Sequence, residues 1–202
     1  MPSPIRIGFI GLSSSKDGWA NMAHFPYLSQ SPHYAITALC NSSIESAQEA
    51  IKSHNLPPST KAYAAPEDLA ADPNVDLVVV SVKVSQHFRL VKPALLAGKD
   101  AFVEWPLGAN LAEAEELLAL AREKGVRCVV GLEEAVSPGA RGIKKIVEEG
   151  RIGRVLSSSV WGVGMYLGEA PVSARQAYAA DISFGGNLVT INTMHGACVS
   201  LR

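Results

Sequence analysis

Short apolar runs, each bounded by turn residues, recur along the chain up to Leu132. Ile5–Ile10, Tyr34–Cys40, Asp76–Val82, Asp100–Glu104 and Arg127–Leu132 read as strands. Their lack of polar alternation marks strands covered on both faces, as in a parallel sheet. Segments of helical character lie between them: Trp19–Gln30, a helix capped by Ser43 and running to His54, Pro66–Ala71, and Ser85–Ala97 closed by Gly98. The strongest is Leu111–Lys124, rich in Ala, Leu and Glu, capped by Asn110 and ended by Gly125. Lys61–Tyr63 adds a short strand after the break at Pro57 and Pro58. Strand and helix alternate throughout. This predicts an α/β fold, a doubly wound parallel sheet of the Rossmann type with right-handed crossovers.

The pattern changes after Glu133. Ser137 caps a helix to Glu149, and Gly150 to Gly153 make a tight turn. Val155–Val163, with Trp161, reads as a strand, Ala170–Asp181 as a loop, and the apolar Asn187–Leu201 as a helix. The expected division is a dinucleotide-binding domain over 1–133 and an incomplete second domain, for substrate or dimerisation, over 134–202.

Charge and composition narrow the function. The 202 residues carry a formal net charge of −1, with both signs interspersed, so no basic surface is offered to nucleic acid. No apolar stretch approaches the ~20 residues that span a bilayer, and the N-terminus lacks a signal-peptide pattern. A cytoplasmic protein without a membrane partner is expected. Cys40, Cys128 and Cys198 are far apart and odd in number, which fits neither a disulfide framework nor a metal site.

The candidate chemistry begins where the first strand meets the first helix. A dinucleotide loop uses three glycines: one for the turn, one for close approach to pyrophosphate, one for helix–strand packing. Gly11 falls on the first position, Ser13 on the second and Lys16 on the third, with Gly18 following. Ser13, Ser14, Ser15 and Lys16 are all able to donate to phosphate. The second strand ends at Asn41, Ser42 and Ser43, with none of the acidic residues that select NAD through the ribose hydroxyl. NADP is the expected cofactor, and NAD the less favoured one.

These segments resemble the Gfo/Idh/MocA oxidoreductase family, in particular the branch that includes the yeast galactose-pathway repressor and its fungal oxidoreductase-like relatives. The resemblance is carried by Ile5 to Leu12, Tyr34 to Leu39, Val82 to Gly98 with His87, Phe102 to Leu107, Gly150 to Gly153, and Leu188 to Thr190 with His195. It implies a Rossmann domain followed by the beginning of an α+β antiparallel-sheet domain. It also implies hydride transfer between a nicotinamide cofactor and a sugar, polyol or secondary metabolite. The family's Glu-Lys-Pro motif supplies a lysine for substrate positioning and proton transfer; here it reads Glu104, Trp105, Pro106. An indole N–H donates only, so Trp105 cannot replace that lysine. The same tryptophan occurs in the repressor-like branch. The resemblance places Glu104, Trp105 and His87 beside the cofactor. His195 is the candidate for proton transfer, and Thr190 stands where many of the enzymes carry aspartate. Lys83, at the end of the fourth strand, is a second candidate for the missing lysine's charge.

Two functions follow. One is an NAD(P)-dependent oxidoreductase with a small-molecule substrate. The other is a non-catalytic NADP-sensing regulator that works through a protein partner. The family's sheet domain extends beyond residue 202. A C-terminal truncation, a gene-model artefact, or a homo-oligomer completed through the C-terminal segment is therefore expected.

Overall fold

The computed structural model describes residues 3–159, 177–187 and 190–191. The chain forms two compact units, Met1–Val130 and Gly131–Arg202.

The first unit is built on β1 (Ile5–Ile10), β2 (Tyr34–Cys40), β3 (Lys61–Tyr63), β4 (Leu77–Val80), β5 (Asp100–Glu104) and β6 (Cys128–Gly131). They lie in the order β3-β2-β1-β4-β5-β6, and the pairings from β3 to β5 are parallel. This is the strand order of a Rossmann sheet, with its switch point between β1 and β4. The helices are α1 (Phe25–Gln30), α2 (Ile44–Ser53), α3 (Pro66–Ala71), α4 (His87–Leu96) and α5 (Leu111–Lys124).

Both sheet faces are covered, which explains the unbroken apolar strands. Ile7, Phe9, Leu39 and Val79 share one core with Ala47 and Ala50 of α2. Val78, Val80 and Val103 share the other with Leu69 of α3, Leu95 of α4 and Leu117 of α5. Each large aliphatic buried in this way contributes about 1.5–3 kcal/mol. At Gly8 the packing leaves no room for a side chain: a Cβ there would lie 2.7 Å from Leu69 Cδ2.

The N-terminal edge of the sheet is tied by two Arg–Asp forks. Arg6 donates to Asp76 from Nη2 at 2.6 Å and from Nε at 2.9 Å, which holds the Asp76 carboxyl at about 2. Arg127 pairs with Asp100 differently: Nε and Nη2 both donate to Oδ2, and its backbone N–H reaches Oδ1 at 2.8 Å. These multiply bonded pairs set strand register more than stability, because both are partly exposed.

Three elements depart from expectation. The first helix opens as a wide π-helical turn, Ala20–His24, in which Phe25 N–H reaches back to Ala20 O. Pro26 has no N–H to return to Met22, so the ladder widens just before it. The fourth helix opens as a 3₁₀ turn, Val84–Gln86, before α4 begins. Residues 155–159, the described part of the strand expected over Val155–Val163, are exposed and not in a strand. A strand needs a hydrogen-bonded neighbour, and no described segment pairs with them. Residues 160–163, with Trp161, lie outside the described residues, as does most of the expected helix over Asn187–Leu201. Within the expected loop over Ala170–Asp181, Ala177–Ala180 forms a 3₁₀ turn.

In the second unit α6 (Pro138–Glu148) starts at Ser137, whose Oγ accepts from Ala140 N at 3.2 Å, and Pro138 sits in its first turn. Gly150 and Gly153 take φ of +68° and +70° in the turn that follows.

The caps read from the sequence are present. Asn110 Oδ1 accepts from Glu113 N at 3.0 Å, and Gly125 closes α5 at φ +65°. Asn110→Ala removes that acceptor and is expected to lower unfolding free energy by about 1 kcal/mol, read from urea denaturation midpoints at constant slope.

Candidate cofactor site

All the sequence candidates in the first unit lie where strands leave the C-terminal edge of the sheet. Gly11 ends β1 at φ +98° with its N–H on Cys40 O at 3.2 Å. A Cβ at Gly11 would come within 2.3 Å of Ser81 O and 2.5 Å of Val82 Cγ1. The glycine is thus required by the neighbouring strand end as well as by the turn.

The loop beyond Gly11 has its carbonyls drawn into the protein. Asn41 Nδ2 donates to Leu12 O at 2.9 Å. His54 Nε2 donates to Ser13 O at 2.9 Å, with its ring 4.4 Å from that of Phe25. Asn21 Nδ2 donates to both Ser13 O at 3.0 Å and Ser15 O at 2.7 Å. Leu12 is fully buried, while Ser13 and Ser14 are half-buried and Lys16 is exposed. With the carbonyls held inward, the outer rim is left to N–H and hydroxyl donors, the composition an anionic group requires. The residues present therefore fit a pyrophosphate. The buried Asn21 Oδ1 has no hydrogen-bond partner among the described residues.

At the end of β2, Asn41 works mainly as a strut. Its N–H bonds Tyr63 O at 3.2 Å, and its side-chain amide bonds Leu12 O and, at 3.4 Å, Ser46 O. Ser43 caps α2 through Ser46 N at 3.2 Å. Ser42 is exposed at the rim. Nearby, the Glu45 carboxyl is held below its ordinary range by its own backbone N–H and by the Ser43 hydroxyl.

The ends of β4 and β5 are joined by His87, which is fully buried. Its Nδ1 lies 2.8 Å from Pro106 O and its Nε2 3.0 Å from Val82 O. Burial pushes its pKa down, against the opposing pull of the two carbonyls and of Glu104 and Glu113. A neutral ring donates from one nitrogen only, so it satisfies one of the two carbonyls at a time. Lys83 is exposed just after β4, and Trp105 is half-buried, joined to Pro106 by a cis peptide bond.

Glu104 has a partner that the sequence did not reveal. Its carboxylate hydrogen-bonds His24 Nε2, and both side chains are mostly buried. The His24 ring stands edge-on to Phe102, 5.4 Å between centroids. No spacing signal connects residues 80 apart. The one available hint was that His24 lies about one helical turn beyond Asn21, on the same segment as the phosphate loop. His195 lies outside the described residues. Thr190 Oγ1 donates to Gly185 O at 2.8 Å. The described residues contain no cluster of three potential metal ligands, and none of their helices is long and apolar enough to cross a membrane.

Two outcomes follow from this geometry. Gly11→Ala is expected to abolish dinucleotide binding, because the new methyl displaces Ser81 and Val82; cofactor titration of the folded variant checks this. His87 titrates with a folded-state pKa below its ordinary 6.5, so its contribution to stability is present above 6.5 and is lost as pH falls below it. His87→Gln should be less stable at pH 8 but lose less stability than the parent between pH 8 and 5, measured by urea melts.

Comparison with known proteins agrees with the architecture. The family model described as oxidoreductase family, NAD-binding Rossmann fold, matches residues 5–132, and one described as Gal80p, C-terminal domain, matches residues 138–199. The chain is 39% identical over 199 residues to dehydrogenase aclE of Aspergillus oryzae, covering 96% of this chain and 53% of that protein. It is 34% identical over 201 residues to the galactose/lactose metabolism regulatory protein GAL80 of Saccharomyces cerevisiae, covering 96% and 46%. The crystal structure of transcriptional regulator Gal80p from Kluyveromyces lactis superposes with a TM-score of 0.85 at 31% identity, over 97% of this chain and 49% of that one. The chain thus spans about half the length of the relatives it matches. With the family model matched across the whole Rossmann sheet, the chain belongs to the Gfo/Idh/MocA oxidoreductase family.

Proposed function

We propose that this protein binds NADP(H) across the C-terminal edge of its sheet and serves hydride transfer to or from a sugar, polyol or secondary-metabolite carbonyl or hydroxyl. The observation that carries the reading is the loop after Gly11, where Asn21, Asn41 and His54 hold three carbonyls inward and leave donors outward. Ser13, Ser14 and Lys16 would hold the pyrophosphate. Ser42, with Asn41 beside it, would face the ribose phosphate, since none of residues 41–43 at the end of β2 is acidic. His87 fixes the two strand ends that frame the nicotinamide end, with Glu104 and Trp105 on one side and Lys83 on the other. When bound, the nucleotide would supply hydride chemistry, and proton transfer would fall to Lys83 or His195. The dehydrogenase relative at 39% identity supports this reading. The cytoplasm is the proposed compartment, and self-association through the C-terminal segment is the proposed assembly.

A second reading is favoured by Trp105. An indole at the family's lysine position cannot exchange a proton at neutral pH. A non-catalytic NADP sensor acting on a regulatory protein partner fits that residue and the GAL80 relative.

Fluorescence titration with NADPH and NADH, followed by a carbonyl-substrate panel, separates the readings. NADPH is expected to bind more tightly, and a preference for NADH of about tenfold, ~1.4 kcal/mol, overturns the cofactor assignment. Turnover supports the enzyme, and saturable binding without turnover supports the sensor. Binding of neither nucleotide removes both.

A further inference from the structure

We propose that His24 is a positioning residue of the cofactor site, acting through Glu104 to lock the Glu104-Trp105-Pro106 motif to the phosphate loop. The inference rests on the nucleotide-binding reading above.

Glu104 ends β5 and immediately precedes Trp105. Its neighbours in the strand, Ala101 and Val103, are fully buried in the core shared with α4 and α5. Phe102 and Glu104 alternate to the opposite face, where His24 meets both of them. The acid of the motif is therefore engaged by a side chain of the protein. Only 13% of its side chain is exposed, and 21% of that of His24. The ring lies between Phe102 and Phe9, whose centroid is 6.4 Å away. In such apolar surroundings a carboxylate without a donor is costly, so the His24 bond fixes where the Glu104 side chain rests.

The other end of the linkage is the phosphate loop. Asn21 belongs to the same wide turn as His24 and holds the carbonyls of Ser13 and Ser15. A single turn of helix thus carries one side chain anchored in the loop and another anchored at the end of β5. The turn is wide because Pro26 follows it, and that width sets the angle between Asn21 and His24. Displacement of Glu104 is transmitted to the loop through the four residues from His24 back to Asn21, and displacement of the loop is transmitted to Trp105. The remaining titratable groups lining the groove beside His24 are Tyr27 and Tyr34.

The test is NADPH affinity in a double-mutant cycle, with thermal melts run on every variant. His24→Leu is expected to weaken NADPH binding by about tenfold, the scale of one lost charge-assisted hydrogen bond. His24→Gln, which retains an N–H donor, is expected to recover most of that loss. Glu104→Gln should weaken binding by itself and add little in the His24→Leu background. If His24→Leu fails to fold, Glu104→Gln, which preserves side-chain shape, carries the test alone. Unchanged NADPH affinity in the folded variants, or full additivity of the two substitutions, overturns the proposal while leaving the nucleotide reading intact. An unsubstituted protein that binds neither NADPH nor NADH overturns both.

Discussion

At Gly11 the chain leaves β1 against the backbone of Ser81, in a space that admits no Cβ. Most of the site depends on that contact. It lets the ends of β1 and β4 approach at the switch point of the sheet, where the crevice of a doubly wound fold opens. It also sets the direction in which Leu12 to Lys16 depart. Positive φ at Gly11 turns the chain over the strand ends, and buried Leu12 then secures the turn to the core. A bulkier residue would separate the strand ends and move every loop that lines the crevice.

Three imidazoles then join what the sheet brings close. His54, at the end of α2, holds the Ser13 carbonyl. His24, in the wide turn before α1, holds Glu104. His87, at the start of α4, bridges the carbonyls of Val82 and Pro106. Each connects segments that are distant in sequence. Backbone carbonyls leaving a sheet lack the ladder partners they have inside it, and a rigid, planar donor can satisfy them at small cost in side-chain entropy. The same property makes the site responsive to acid, since His87 is favoured neutral by burial while its two acceptors favour a second proton.

Trp105 changes what this scaffold is able to do. Fold, strand order and loop belong to an oxidoreductase family, but the motif's proton carrier is absent. The surrounding geometry persists without it: Glu104 has a partner, and His87 clasps Pro106. A dinucleotide site can be maintained for binding alone, because binding needs the loop and the strand ends, whereas hydride transfer also needs a group that exchanges a proton. The relatives of this chain include both a dehydrogenase and a regulatory protein.

The sequence by itself determined the layout of the sheet. Strands covered on both faces lose polar alternation, and caps such as Ser43, Asn110 and Gly125 act within four residues, so both kinds of signal are local. It also placed Gly11, Ser13, Lys16, Lys83, His87, Glu104 and Trp105 at strand ends, since their positions follow from where apolar runs stop. The tertiary structure alone decided what those side chains touch. Asn41 became a strut under Leu12, and Glu104 turned to His24 across 80 residues. The wide turn at Ala20–His24 was local in cause, through Pro26, yet its consequence for His24 appeared only once β5 lay beside it. Periodicity reports which face of an element is buried; which atom of another element waits there depends on packing between segments that no local pattern encodes.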